Sequence, residues 1–438
     1  MNDNSPGVFD IPDAFDVPDA FDVVVIGGGL AGLAAAATAA KSGQRTVLLE
    51  GHTPGGRAST DERRGFKFNQ GAHAVYLGGA GNAVLGRLGV THTGHPPSAT
   101  GTHGLRGDVV SPLPFSPAAA IKSTHVSLRG KAQVAKLLGL GVNRIDTATL
   151  ADRSAATWLG DLGLRDDATD VVRTLVMVAS FSDDLAGISA DAAVRQLQLA
   201  VKPGVSYLDG GWQTLVDGLL GAALAAGADV RAHHLAFAIE ADGRGWVVRS
   251  GGDEMAAVRG NSVIVAGLAP QAAAALLPDA PAWSGLGPAA TVACLDLGTS
   301  RVPSIPVLFG LDRPLYFSAH CPPGDLAPRG HAVVHTMRYG TTTADADRAE
   351  LIDLAHRAGV TDADIVEQRF LARMVVAHAT PVPGAGLRGR PAIDATGAAG
   401  VFVAGDWVGA EGMLSDASLA SAEAAARAAV AHAAKVAA

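Results

Sequence analysis

Val23-Val24-Val25-Ile26-Gly27-Gly28-Gly29-Leu30-Ala31-Gly32 is the stretch that decides the fold. Its first four residues form a short continuous run of β-branched apolar side chains, as a strand buried on both faces of a parallel sheet requires. Gly27-x-Gly29-x-x-Gly32 follows at once, and Leu33 to Ser42 is alanine-rich and helical in character. A strand, a glycine turn and a helix in this order are the context in which the spacing binds a dinucleotide. Gly27 permits the tight turn, Gly29 lets backbone approach a pyrophosphate, and Gly32 lets the helix pack against the strand. Leu30 and Ala31 lie in this turn and are cofactor-binding candidates with the glycines, because the helix N-terminus that follows offers free N–H groups to the phosphates. Gly43 stands where a helix C-terminus favours positive φ. Thr46-Val47-Leu48-Leu49 is the next strand, and Glu50 ends it, where a carboxylate accepts hydrogen bonds from an adenosine ribose.

Outside this βαβ unit the composition excludes more than it assigns. At roughly 150 residues per domain, 438 residues predict two to four structural units. Lys and Arg total 34 against 42 Asp and Glu, and the one compact basic cluster is Asp61 to Lys67. No concentrated positive footprint for nucleic acid is evident. Cys294 and Cys321 are the only cysteines, so neither a disulfide framework nor a cysteine zinc site is expected, and a reducing, cytoplasmic location follows. Val23 to Ala40 is the one uncharged run of membrane length, but its glycines make it a strand, turn and helix. No transmembrane or targeting segment is expected, and peripheral membrane contact stays open.

Residues 1–20 hold a near-repeat, Phe9-Asp10-Ile11-Pro12-Asp13-Ala14 and Phe15-Asp16-Val17-Pro18-Asp19-Ala20, read as a flexible acidic tail. Residues 96–204 lack alternating strand patterns and read as a helical insertion, with helices over Ala151 to Leu164 and Thr169 to Ser180. Further on, Trp212 to Ala226 is an apolar helix, while Trp246-Val247-Val248 and Ser262 to Ala266 are strands. Ala290 to Leu295 and His331 to His335 also read as strands, and Val401 to Ala404 precedes a helix over about Ser415 to Val436. The expected fold is α/β: a Rossmann-like nucleotide domain of discontinuous segments (21–95, 205–270, 395–438) and a substrate domain of helices and an antiparallel sheet (96–204, 271–394).

Directly after Glu50 comes Pro54-Gly55-Gly56-Arg57-Ala58-Ser59-Thr60, and here the chain resembles the FAD-dependent amine oxidase and phytoene desaturase superfamily. In that family a Gly-Gly-Arg motif follows the ribose-binding acid, which implies that Gly55, Gly56 and Arg57 lie near the pyrophosphate and flavin. Tyr207-Leu208-x-Gly210-Gly211-x-x-x-Leu215 looks like the central glycine motif. Gly227 to Arg231 with Leu235 and Ala236 resembles the segment beside the adenine. Gly400 to Trp407 resembles the C-terminal flavin motif, which implies contacts of Gly405 and Asp406 with pyrophosphate and ribityl chain. Gly412-Met413-Leu414 then leads into a helix whose N-terminus would face the flavin, where reduction places negative charge. The resemblance implies FAD as cofactor and an oxidoreductase (oxidase, dehydrogenase or desaturase) moving a hydride from a small organic substrate, apolar or amine-bearing, to flavin N5. The alternatives are a redox-neutral flavin isomerase or mutase, a non-catalytic flavoprotein, and a nicotinamide-only dehydrogenase, against which Gly405-Asp406 argues.

The departures narrow the substrate. Where many amine oxidases carry an aromatic residue before the final Gly-Asp strand, this chain has His378-Ala379-Thr380-Pro381-Val382-Pro383. Lys202 is a weak match to the family's flavin-N5 lysine, and neither cysteine suits a covalent flavin link. Phe68-Asn69-Gln70-Gly71-Ala72-His73 follows the arginine motif, and in this family it passes close to the isoalloxazine. His73 is therefore the catalytic candidate, able to exchange a proton or hydrogen-bond the flavin, with a purely structural histidine as its alternative. Trp407 is read as flavin-flanking or core, and Thr174 to Phe181 as core or pocket wall. No metal site is expected, because His331 and His335 on one strand stand roughly 13 Å apart.

Overall fold

The computed structural model describes residues 20–98, 101–243, 245–252, 255–277, 283 and 286–437. The acidic repeat lies outside them except for Ala20, which opens the first strand.

That strand, Ala20–Ile26, is central to a seven-stranded sheet. On one side it pairs in parallel with Thr46–Leu49, which pairs in parallel with Asp229–Arg231. On the other it pairs in parallel with Ala256–Ala266, where Val25 stands opposite Ile264. The far half of Ala256–Ala266 is parallel to Val401–Ala404, and its near half is antiparallel to Trp246–Gly252, which carries His234–Ala241 at the edge. Pieces separated by hundreds of residues thus build one sheet.

The helix Leu30–Lys41 is buried on nearly every side. It lies between this sheet and the helices Gln213–Ala225 and Leu414–Ala437, whose apolar residues share one core with it. Enclosure on all sides explains its alanines, since small side chains let backbones approach where no face meets water. Gly32 is the limiting case: a Cβ there would stand 1.7 Å from the Gly27 carbonyl oxygen.

A second seven-stranded sheet runs Ile365–Ala377, Ala290–Thr299, Ala332–Tyr339, Leu315–Cys321, Val307–Gly310, Thr102–Arg106, Val109–Pro112. It is antiparallel except where Val307–Gly310 meets Thr102–Arg106. Two of its strands therefore come from within 96–204, which corrects the reading of that stretch as helical only. Its alternation was obscured by His103 and Arg106, tolerated because both sit near the edge of the sheet. The helix Asp166–Ser180 packs on this sheet, and the helices Ala155–Asp161 and Ala190–Val201 pack against that helix. No helix among the described residues is long and apolar enough to cross a membrane.

Candidate active site

A cleft of about 340 Å³ opens at the carboxyl ends of the parallel strands. Ile26, Leu49, Ala266 and Ala404 end those strands, and the turns after them supply Gly27 to Ala31, Glu50, Gly267 and Asp406 to the lining. Open α/β sheets bind ligands at this position, because side chains and helix N-termini converge there.

The glycines of the first turn differ in their surroundings. Gly27 holds φ +101, and a Cβ on it would meet the Ala266 carbonyl at 2.3 Å, whereas nothing lies within 4 Å of one on Gly29. Gly29 therefore faces open space at the start of the helix, where no side chain caps the free N–H groups and no acid stands in the first turn. That arrangement suits a diphosphate. Glu50 accepts from the Gly28 N–H at 2.5 Å through Oε2 and from the His52 N–H at 2.8 Å through Oε1. Its carboxylate is thus fixed at the strand end, where a ribose would be met. Gly55 at φ +137 and Gly56 at φ +52 let the next turn fold against the first, with the Gly55 N–H donating to the Gly28 carbonyl at 2.9 Å.

Arg57 closes the middle of the cleft. Its Nη1 donates to the Val376 carbonyl at 2.9 Å and to Asp406 Oδ2 at 3.2 Å. Asp406 also accepts from the His378 backbone N–H at 2.8 Å and stands 2.9 Å from His378 Nδ1. Burial works against its charge, but the His378 hydrogen bond and the Arg57 guanidinium hold it far below the usual carboxylate range. Arg390 braces the same turn, donating to the Asp406 carbonyl at 3.0 Å and the Gly412 carbonyl at 2.9 Å. His378, met in the sequence only as a missing aromatic, is a member of this cluster. No motif marks it, because its role depends on a partner 28 residues away.

His73 lines the cleft with Trp212, whose ring it meets edge-on at 4.7 Å. Its Nδ1 lies 3.1 Å from the Gly71 carbonyl, which assigns the proton to Nδ1 and leaves Nε2 as the acceptor. Burial pushes its pKa down to about 4, so the ring is neutral near pH 7. Tyr76, Phe181, Met374, Val376 and Leu414 complete the walls. Phe181 ends a run that is otherwise largely core, so the Thr174 to Phe181 stretch serves both purposes. Leu414 holds φ +54 at the head of the last helix, a left-handed conformation unusual for leucine.

Other sequence candidates sit elsewhere. Gly32 and Gly405 are packing positions, and Met413 is buried in the helical core. Ala236 is buried, while Leu235, 61% exposed, lies against Gly51 beside the Glu50 strand end. Trp407 is core: it packs on Trp283 and donates to the Leu268 carbonyl at 2.8 Å. Lys202 is exposed and outside the cleft lining. Asp416, which no motif flagged, accepts from the Gly81 N–H at 2.9 Å, and burial raises its pKa to about 6.

Cys294, Asp296 and His335 bring ligand-type atoms within 4.8 Å of one another. Arg369 already places its guanidinium on that carboxylate, Nη2 to Oδ2 at 2.6 Å, so the positive charge there is supplied by the protein itself.

Residues 25–87 match the family of NAD(P)-binding Rossmann-like domains. Over 67 residues the chain is 47% identical to the all-trans-retinol 13,14-reductases of Macaca fascicularis and Homo sapiens, a stretch that is 15% of this chain and 11% of those relatives. Across nearly its full length it shares a fold with an oxidoreductase from Methanosarcina mazei, at TM-score 0.69 and 17% identity, covering 92% of this chain and 99% of that one. Cyclohexylamine oxidase from Brevibacterium oxydans is similar at TM-score 0.65 and 18% identity, covering 96% of this chain and all of that one (100%).

Proposed function

We propose that the chain is an FAD-dependent oxidoreductase acting on an apolar, uncharged small molecule. The observation that carries this reading is how charge is used in the cleft. Among the described residues, Glu50 and Asp406 are the only carboxylates in its lining. The first is held by backbone N–H groups and the second by Arg57 and His378. The walls beyond are Tyr76, Phe181, Trp212, Met374 and Leu414, so a protonated amine would find no free counter-charge. An amine remains the second reading, because those three aromatic rings can hold a cation over their faces.

The residues present fit FAD. Gly27 to Gly29 and the helix start would take the diphosphate, Glu50 the ribose, and the Arg57–Asp406–His378 cluster the region between diphosphate and ring. When bound, the flavin supplies the two-electron chemistry of a C–C or C–N bond interconverting with its double-bonded form. The protein binds, orients and excludes water. Its apolar walls keep solvent from the reacting carbon, and His73 offers Nε2 as a neutral acceptor at the cleft wall. The sequence similarity to retinol reductases supports an unsaturated apolar substrate.

Anaerobic visible spectroscopy of the purified protein tests this. The expected result is an oxidised flavin band that an apolar polyene, its saturated analogue or NADPH bleaches, while amines leave it unchanged. Bleaching by amines alone moves the second reading to first place, and a protein that neither carries nor binds flavin overturns both.

A further inference from the structure

From Val109 to Ile145 the chain contains no Asp or Glu and carries Lys122, Arg129, Lys131, Lys136 and Arg144, in a protein of net charge -8. These residues are too widely spaced to read as a cluster in the sequence, where only Asp61 to Lys67 stood out. Folding brings them onto two short helices, Pro117–Lys122 and Leu128–Lys136, the second running on through Leu137–Gly141 and Val142–Arg144. Both helices are capped, by Ser116 and Ser127.

The longer helix buries one set of apolar residues and exposes another. Gly130, Val134, Leu137 and Val142 are buried, while Leu128, Ala132, Ala135, Gly139 and Leu140 point outward at helical spacing. Ile121 is 85% exposed, Leu128 83% and Leu140 65%, the three most exposed large apolar side chains among the described residues. Lys122, Arg129, Lys136 and Arg144, from the same stretch of chain, are exposed as well, and none forms an ion pair among the described residues. Lys131 turns inward and donates to the Ser123 carbonyl. Of the acids at its borders, Asp167 accepts from the Ser127 N–H at 2.6 Å, Asp108 pairs with Arg357 at 2.8 Å, and Asp146 accepts from the Ala148 N–H at 3.1 Å.

Exposed leucine and isoleucine side chains interspersed with unpaired lysines and arginines are what a lipid headgroup boundary accommodates: apolar groups enter the acyl region and the cations meet anionic phosphates. We infer that this face, residues 117–144, docks the protein on an anionic lipid surface. Charge selects that occupant over a second copy of the chain, since symmetric pairing would set one basic face against another. Charge also sets the orientation, because the remainder of the protein is acidic and is repelled by the same surface. The apolar cluster beneath the face, holding Val134 and Leu138, extends to Phe181 and Met374 in the cleft wall. The route this gives an apolar substrate from lipid to cleft rests on the proposed function; the docking itself does not.

Vesicle sedimentation with the full flavin-loaded chain tests the docking. The protein should sediment with vesicles of phosphatidylcholine mixed with phosphatidylglycerol, not with phosphatidylcholine alone, and high salt should release it. Each of Lys122→Gln, Arg129→Gln and Lys136→Gln should weaken partitioning about five-fold. The triple variant Ile121→Ser, Leu128→Ser, Leu140→Ser should abolish it while leaving flavin content and melting temperature unchanged. Failure to bind anionic vesicles at low salt overturns the proposal, as does binding that both sets of variants leave intact. A concentration-dependent dimer that the serine triple dissolves, without vesicle binding, overturns it in favour of a second copy. None of these readouts depends on turnover, so loss of the docking and loss of the proposed activity are separable.

Discussion

Asp296 and His335 stand directly opposite each other on neighbouring antiparallel strands, Oδ1 to Nδ1 at 2.6 Å, with neither side chain exposed to solvent. Arg369 is Asp296's partner on the other side and Ser318 is His335's, so one polar row crosses an apolar sheet. It continues from Ser318 to the Tyr207 hydroxyl at 2.8 Å. At its other end Arg369 donates to the Asn69 carbonyl and to Asp61 Oδ2, which ties the row to the segment leading to His73. Burial opposes the charge of Asp296, yet His335 and Arg369 keep its carboxyl below the ordinary range.

Asp296→Ala leaves the Arg369 guanidinium buried without this partner, and stability should fall by about 3–5 kcal/mol. Asp296→Asn keeps the shape and an acceptor and should cost less. Urea unfolding curves of the two variants check the order, and equal losses would contradict it.

Two glycines of one turn should behave oppositely. Gly32→Ala places a methyl into the Gly27 carbonyl and should prevent folding, seen as insoluble or molten protein. Gly29→Ala meets nothing within 4 Å and should fold normally. Its methyl projects into the space assigned to the diphosphate, so flavin content should drop while the apoprotein keeps its melting temperature.

Arg57→Ala removes the guanidinium that Asp406 and the Val376 carbonyl share. Losing a charge-assisted contact worth about 1.5–3 kcal/mol should weaken FAD binding about ten- to hundredfold. Titration calorimetry or flavin fluorescence quenching on apoprotein measures it. Unchanged affinity would place the diphosphate away from Arg57.

Asp416 binds its proton more tightly in the folded chain than in the unfolded one, with pKa about 6 against an ordinary 3.8. Its contribution therefore favours folding at pH 4 and is lost as pH rises to about 6, by about 3 kcal/mol at 1.36 kcal/mol per unit. Asp416→Asn, which keeps an acceptor for the Gly81 N–H, should raise the melting temperature at pH 7 and have little effect at pH 4. A gain independent of pH would assign the effect to packing.

His73 shifts the other way, from an ordinary 6.5 to about 4. The unfolded chain takes up a proton below 6.5 that the folded chain refuses, so this term favours folding above pH 6.5 and is lost as pH falls towards 4. His73→Asn should flatten that acid limb of the stability curve. Flavin reduction should show no break between about pH 5.5 and 8 due to this ring; a break there that the variant removes would mean a histidine that charges during turnover.

The βαβ unit, the C-terminal strand and helix, and the antiparallel strands Ala290–Thr299 and Ala332–Tyr339 were legible because each is stated by its own residues. Runs of β-branched side chains, alanine-rich turns of helix and glycines at fixed spacing act over a few bonds. The hairpin over 102–112 was not legible: its inward residues are interrupted by His103, Gly104 and Arg106, and besides its own two arms it pairs with Val307–Gly310, a strand far away in the chain. His378, Asp416 and the row through Asp296 were missed for the same reason. A carboxylate in the sequence gives no indication of whether it will be buried or what will face it.

By itself, then, the sequence determined the glycine turn and the acid at the end of the next strand, because steric limits on φ and ψ are local and a missing Cβ is visible in the letters. The tertiary structure alone decided which distant groups share a site. Arg57 meets Asp406 across 349 residues and Arg369 meets Asn69 across 300. It also decided that Lys122, Arg129, Lys136 and Arg144, and Leu128 and Leu140 between them, stay exposed. Burial, charge pairing and pKa depend on what chain closure brings within a few ångströms, and no local spacing records that.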